Sequence, residues 1–142
     1  MLVAAAAACG VSGAHARDDK VHFAIKDALE KGASLRNNVK PDIALYFGSK
    51  STRAVERNLG VYISNKKTNS SNKSDAEACA VAFISAAISL QERARHQGGN
   101  AVINITSVYK GASFASATEY LCGAGTIMAG VALRGTVVTL KK

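Results

Sequence analysis

Near residue 98 the spacing of hydrophobic positions changes from a helical to a strand period. Upstream, Cys79, Phe83, Ala86 and Leu90 recur at spacings of four, three and four, which puts them on one face of a helix. Ser74-Asp75-Ala76-Glu77 opens that helix as a capping box. In such a box the serine hydroxyl and the glutamate satisfy backbone donors that have no intrahelical acceptor. The helix is predicted to run to about Gln97, where Gly98-Gly99 ends it. Downstream the period drops to two, predicting strands at Asn100–Tyr109, Thr118–Gly123 and Gly130–Leu140, with Gly111–Ala115 as the turn between the first two. The last strand alternates Val131, Leu133, Gly135 and Val137 against Ala132, Arg134, Thr136 and Val138. It is apolar enough on both sides to lie inside a sheet.

The first half is less regular. Phe23, Ala24, Ala28 and Leu29 suggest one apolar stripe, so Val21–Ala33 reads as a short helix stopped at Gly32. A polar link, Arg36–Lys40, leads to Pro41-Asp42 and a strand at Ile43–Phe47. Gly48–Thr52 reads as loop, Ala54–Lys67 as a pair of strand signals with Val61 and Ile63 on one face, and the Asn/Ser-rich Thr68–Ser74 as loop again. Together these predict an α+β domain. One long helix packs on a small mixed or antiparallel sheet of about five strands, and a short helix precedes it. The organisation reads as 1–16, an export signal; 17–40, an N-terminal helical segment; and 41–142, the α+β domain.

Length allows one domain. The formal net charge is +8, with all the charge at or beyond Arg17, but no run of five or six basic residues occurs and aromatics make up only 6%. Nucleic-acid tracking favours a clustered basic face with aromatics for stacking, so this composition argues for a solvated basic surface. That field still favours anionic surfaces.

Leu2–Cys9 is an alanine-rich apolar run followed by Gly10, Gly13 and then Ala14-His15-Ala16, ahead of the charged Arg17-Asp18-Asp19-Lys20. Small residues in an Ala-x-Ala order before a charged start fit signal peptidase cleavage after Ala16. No basic residue precedes the run. The run is too short for a membrane span, which takes about 20 residues. A buried alanine-rich helix and lipid attachment at Cys9 are the competing readings. Cleavage would leave Cys79 and Cys122 in the mature chain. In an oxidising compartment they are candidates for a disulfide between helix and sheet, against the alternative of two buried thiols. His22 and His96 show no ligand spacing to them, so no metal site is predicted.

No catalytic constellation and no cofactor motif emerges. Gly48-Ser49-Lys50-Ser51-Thr52 resembles the tail of a phosphate loop but lacks its first glycine and the Gly-Lys pair. Glu119, in phase opposite Tyr120 and Cys122, is expected to face solvent, and Tyr46, Tyr62, Tyr109 and Tyr120 read as core or rim residues.

The segment Ala94–Val102, a helix end running into Gly98-Gly99-Asn100-Ala101-Val102, and the terminal Gly135-Thr136-Val137-Val138 resemble the YbjQ-like and RcsF-like domains. That resemblance implies a small α+β fold, with ring oligomers and heavy-metal binding in the first group. In the second it implies disulfide-bonded envelope proteins that act through protein contacts. Short exported bacterial chains commonly named excinuclease ATPase subunit are similar over Glu119–Gly125 and Ala129–Leu133. Two function classes follow. One is an exported, non-enzymatic domain binding a protein or an anionic envelope component. The other is a nucleotide- or DNA-repair-linked role. A metal-binding ring oligomer is a third, minor reading.

Overall fold

The computed structural model describes residues 17–32 and 37–142. Its centre is β7, Met128–Leu140, which pairs with three other strands. β3, Val55–Asn69, lies antiparallel along one side of it. The other side is shared by β6, Glu119–Ala124, and β4, Ala101–Tyr109. β1, Asp19–Ala24, extends the sheet beyond β6; β2, Ala44–Phe47, adds in parallel beyond β4; and β5, Ala112–Phe114, forms a short hairpin with β4.

Among the described residues the sheet therefore has seven strands and is mixed. This corrects the expected arrangement of one long helix on about five strands: the chain is mostly sheet, with two helices among the described residues. Three differences account for the change. Val21–Ala24, expected to open the first helix, instead belong to β1, because Val21 and Phe23 face inward while their backbone pairs with β6. Helix α1 is left with Ile25–Lys31, starting where Ile25 N–H donates to the Thr118 carbonyl. Second, Gly111 turns with φ +78° and the chain folds straight back as β5, where only a turn was expected. Third, β3 is one strand of 15 residues, reaching Asn69.

The long helix α2, Asp75–Gln97, matches its sequence signals. Ser74 Oγ accepts from Glu77 N–H at 3.2 Å, and Gly98 closes the helix in the left-handed conformation, with φ +79°. Its buried face, from Ala78 and Cys79 through Phe83 and Leu90 to Ala94, packs on Val131, Leu133 and Val137 of β7 and Tyr120 and Cys122 of β6. The seven alanines between Ala76 and Ala94 keep this face low, so helix and sheet approach closely. A smaller cluster, Ala101, Val138 and Leu140 with Tyr46 and Ile103, lies apart from this core.

Candidate binding surface

Directly opposed residues of an antiparallel pair share a face of the sheet. On the α2 side, Tyr62 opposes Gly135, Ser64 opposes Leu133 and Lys66 opposes Val131. On the other side, Val61 opposes Thr136, Ile63 opposes Arg134, Asn65 opposes Ala132 and Lys67 opposes Gly130. β4 extends that second side, setting Ile103 beside Thr136 and Thr106 beside Arg134. Along β3 this second side is open to solvent, whereas Ala132 and Val138 of β7 on the same side are buried. Val61 and Ile63 expose 59% and 65% of their surface, and Arg134 is also exposed. Two large β-branched side chains left in water on neighbouring same-face positions form an apolar stripe, with Arg134 across from one end and Lys67 further along β3.

The charges here are uncompensated. Among the described residues the ion pairs are Arg17 with Asp19 and Asp75, Arg95 with Asp42, and Lys110 with Asp18. Arg57, Lys66, Lys67 and Arg134 belong to none of them. β3 also has a free side. Among the described residues it pairs with β7 alone, so alternate backbone N–H and C=O groups point away from the sheet without a strand partner. Gly60, with φ +109°, sits in a bulge between Asn58 and Val61 that interrupts the register and bends the strand.

The remaining polar clusters look structural. Tyr109 O–H donates to Asp18 at 3.0 Å and Lys110 Nζ donates to the other carboxylate oxygen at 2.5 Å. The Lys110 bond, then the Tyr109 bond, lowers the Asp18 pKa below the usual aspartate range. Burial, then Asp18, raises that of Tyr109. Arg95 grips Asp42 with two bonds of 2.7 and 2.8 Å and lowers its pKa too. Gln91, buried, donates to the Lys40 and Ile43 carbonyls, pinning the chain ahead of β2 to α2. The first of these clusters, Asp18 with Tyr109 and Lys110, lines a surface cleft together with Arg17 and Lys67.

Cys79 and Cys122 come together under α2 at disulfide distance, Sγ–Sγ 2.09 Å and Cα–Cα 5.9 Å, both fully buried. Gly48 and Lys50 lie between two strands rather than between strand and helix, and their N–H groups donate to the Ile105 and Phe47 carbonyls. Those donors are unavailable to a phosphate. His22 stacks edge-on against Phe114 at 4.3 Å, while His96 stands exposed in the last turn of α2. Among the described residues no group of three or more His, Cys, Asp or Glu is placed to hold a metal ion. Tyr120 stacks on Phe83 in the core, Tyr62 lies under the Arg93 guanidinium, and Glu119 is exposed. Cys9 and Ala14–Ala16 lie outside the described residues.

Sequence reasoning placed Val61 and Ile63 on one face but gave no sign that this face is bare. The available clue was Lys66-Lys67 at the end of an apolar run, since paired lysines commonly mark a strand edge. No described helix is long and apolar enough to cross a membrane. No family model and no curated protein matches the chain.

Proposed function

We propose that the chain is an exported, non-enzymatic binding domain whose partner is a protein or an anionic component of the cell envelope. The observation that carries this reading is the exposed stripe on β3, where Val61 and Ile63 stand in water beside cations that have no ion-pair partner among the described residues. Burying such a stripe against a partner recovers about 25 cal/mol for each Å² of apolar surface removed from water. Unpaired cations add attraction for an anionic partner and speed its approach.

Export is supported by the Ala14-His15-Ala16 pattern and by a cysteine pair at disulfide distance, which persists in oxidising compartments. Cleavage after Ala16 leaves Arg17 first in the mature chain. The Arg17 guanidinium already has a place in the fold, donating to Asp75 at 2.6 Å and to the Gly125 carbonyl at 3.3 Å.

The test is photo-crosslinking in living cells from position 63, with position 92 on the exposed side of α2 as control. A discrete adduct from 63 that is absent from 92 supports the reading. Equal labelling from both positions, or none from 63, rejects it.

A further inference from the structure

We infer that β3 takes up an extended, acidic segment of a partner protein by strand addition at its free edge. This inference rests on the binding reading above and specifies the partner's chemistry. The first ground is backbone geometry. β3 offers nine residues, Val61–Asn69, between the Gly60 bulge and the end of the strand, all in continuous register with β7. Strand addition gains its affinity from main-chain hydrogen bonds along such an edge, and its specificity from alternate side chains.

The second ground is the order of side chains along that edge. Val61 and Ile63 lie at one end, and Lys66 and Lys67 follow at the other. Adjacent strand residues point to opposite faces, so the two lysines present a cation on each side of the sheet, with Arg134 adding a third charge on the outer side. An added strand with apolar residues beside Val61 and Ile63 and carboxylates beside Lys66 and Lys67 meets each in kind. Opposite charges on neighbouring strands are favourable, and like charges are not.

The same pattern disfavours a second copy of this chain. Parallel, in-register pairing of two β3 strands sets Lys66 and Lys67 against themselves. Antiparallel pairing centred on Asn65 sets each lysine pair opposite Ile63 and Ser64 and brings the two cationic ends close together. The register that would match Glu56 with Lys66 crosses the bulge between Asn58 and Val61, which breaks the ladder. An acidic partner strand satisfies both the apolar and the cationic half of the edge without crossing it.

The test titrates the purified chain with three synthetic probes matched to the length of Val61–Asn69. One carries valines at one end and glutamates at the other. The second replaces its glutamates with lysines, and the third methylates alternate backbone nitrogens of the first. The chain directions of the first probe are both tried. Slowed amide exchange confined to β3, with at least tenfold weaker binding of the lysine and N-methyl probes, is the expected result. The double variant Lys66→Glu, Lys67→Glu should reverse the charge preference. Because both lysines are exposed, its unfolding transition should stay unchanged. Equal binding of the N-methyl probe, or protection elsewhere on the chain, overturns strand addition. Binding to phosphatidylglycerol vesicles in preference to the acidic probe also overturns it, as does a dimer formed through β3. A position-63 crosslink without acidic-probe binding defeats this inference alone and leaves the binding reading standing. Loss of both defeats both.

Discussion

Gly123 decides how the end of β4 sits on the sheet. A Cβ at this position would come within 2.0 Å of the Tyr109 ring, which lies over Gly123 and Gly130 and reaches Asp18 with its hydroxyl. Gly123→Ala should force the ring out of place and cost about 1–3 kcal/mol, as overpacking does. The measurement is a shift in urea midpoint at constant slope. Gly130→Ala meets the same ring only at 3.3 Å and should cost less. The carboxylates of Asp18 and Asp42 contribute to the response to acid. Lys110 and Arg95 hold their folded pKa values below normal. A group lowered in this way stabilises the fold at every pH above its unfolded value, about 3.9 for aspartate, and that contribution disappears as pH falls through the folded value. Thermal unfolding followed below about pH 4 should therefore show Asp18→Asn and Asp42→Asn with a flatter acid limb than the parent chain. An identical limb in all three proteins would show that neither pair matters.

At the scale of elements, α2 meets the sheet through a cysteine pair at disulfide distance and a polar clamp. Cys79 and Cys122 are 43 residues apart in sequence. A bridge closing such a loop is worth about 4 kcal/mol in the chain-entropy account, and native bridges in small domains typically contribute about 2–5 kcal/mol. Cys79→Ala and Cys122→Ala should each lower the melting temperature. The double variant should be no worse than the worse single, because the two residues make one interaction. Thiol counting on unreduced, denatured protein isolated from cells checks the bridge directly, and two free thiols would rule it out. Gln91 acts on the other end of the helix. Gln91→Leu keeps the bulk but strands the Lys40 and Ile43 carbonyls in a partly buried site. It should cost about 1–3 kcal/mol, the penalty of unsatisfied polar groups, and it should loosen the entry to β2. Amide exchange in Ala44–Phe47 reads that loosening.

For the whole molecule, the charge of +8 is carried largely by exposed side chains, and the cations around β3 lie outside the ion pairs that hold Arg17, Arg95 and Lys110. Partner capture should therefore weaken as salt shortens the screening length below about 8 Å. A partner that binds equally at low and high salt would contradict a charge-steered interface. Export makes a separate prediction. N-terminal mapping of native protein should start at Arg17, and an intact Met1 in a cytosolic fraction would refute cleavage.

Elements whose signals are local could be read from the chain alone. Ser74 and Gly98 bound α2 because capping is a matter of neighbouring residues. The two-sided apolar run of residues 131–138 marks an interior strand. The facing of Cys79 follows from a period that any helix imposes. What needed partners far along the chain was not legible. Residues 19–24 became a strand because β6, about a hundred residues away in sequence, offered its edge, and six backbone pairs there outweigh a weak helical stripe. Strand number, strand order and the bare side of Val61 and Ile63 are set by which strands run out of neighbours. Alternation says that a strand has two faces. Only the assembled sheet decides which face α2 covers, and that β3 is left with an edge no other described strand pairs with.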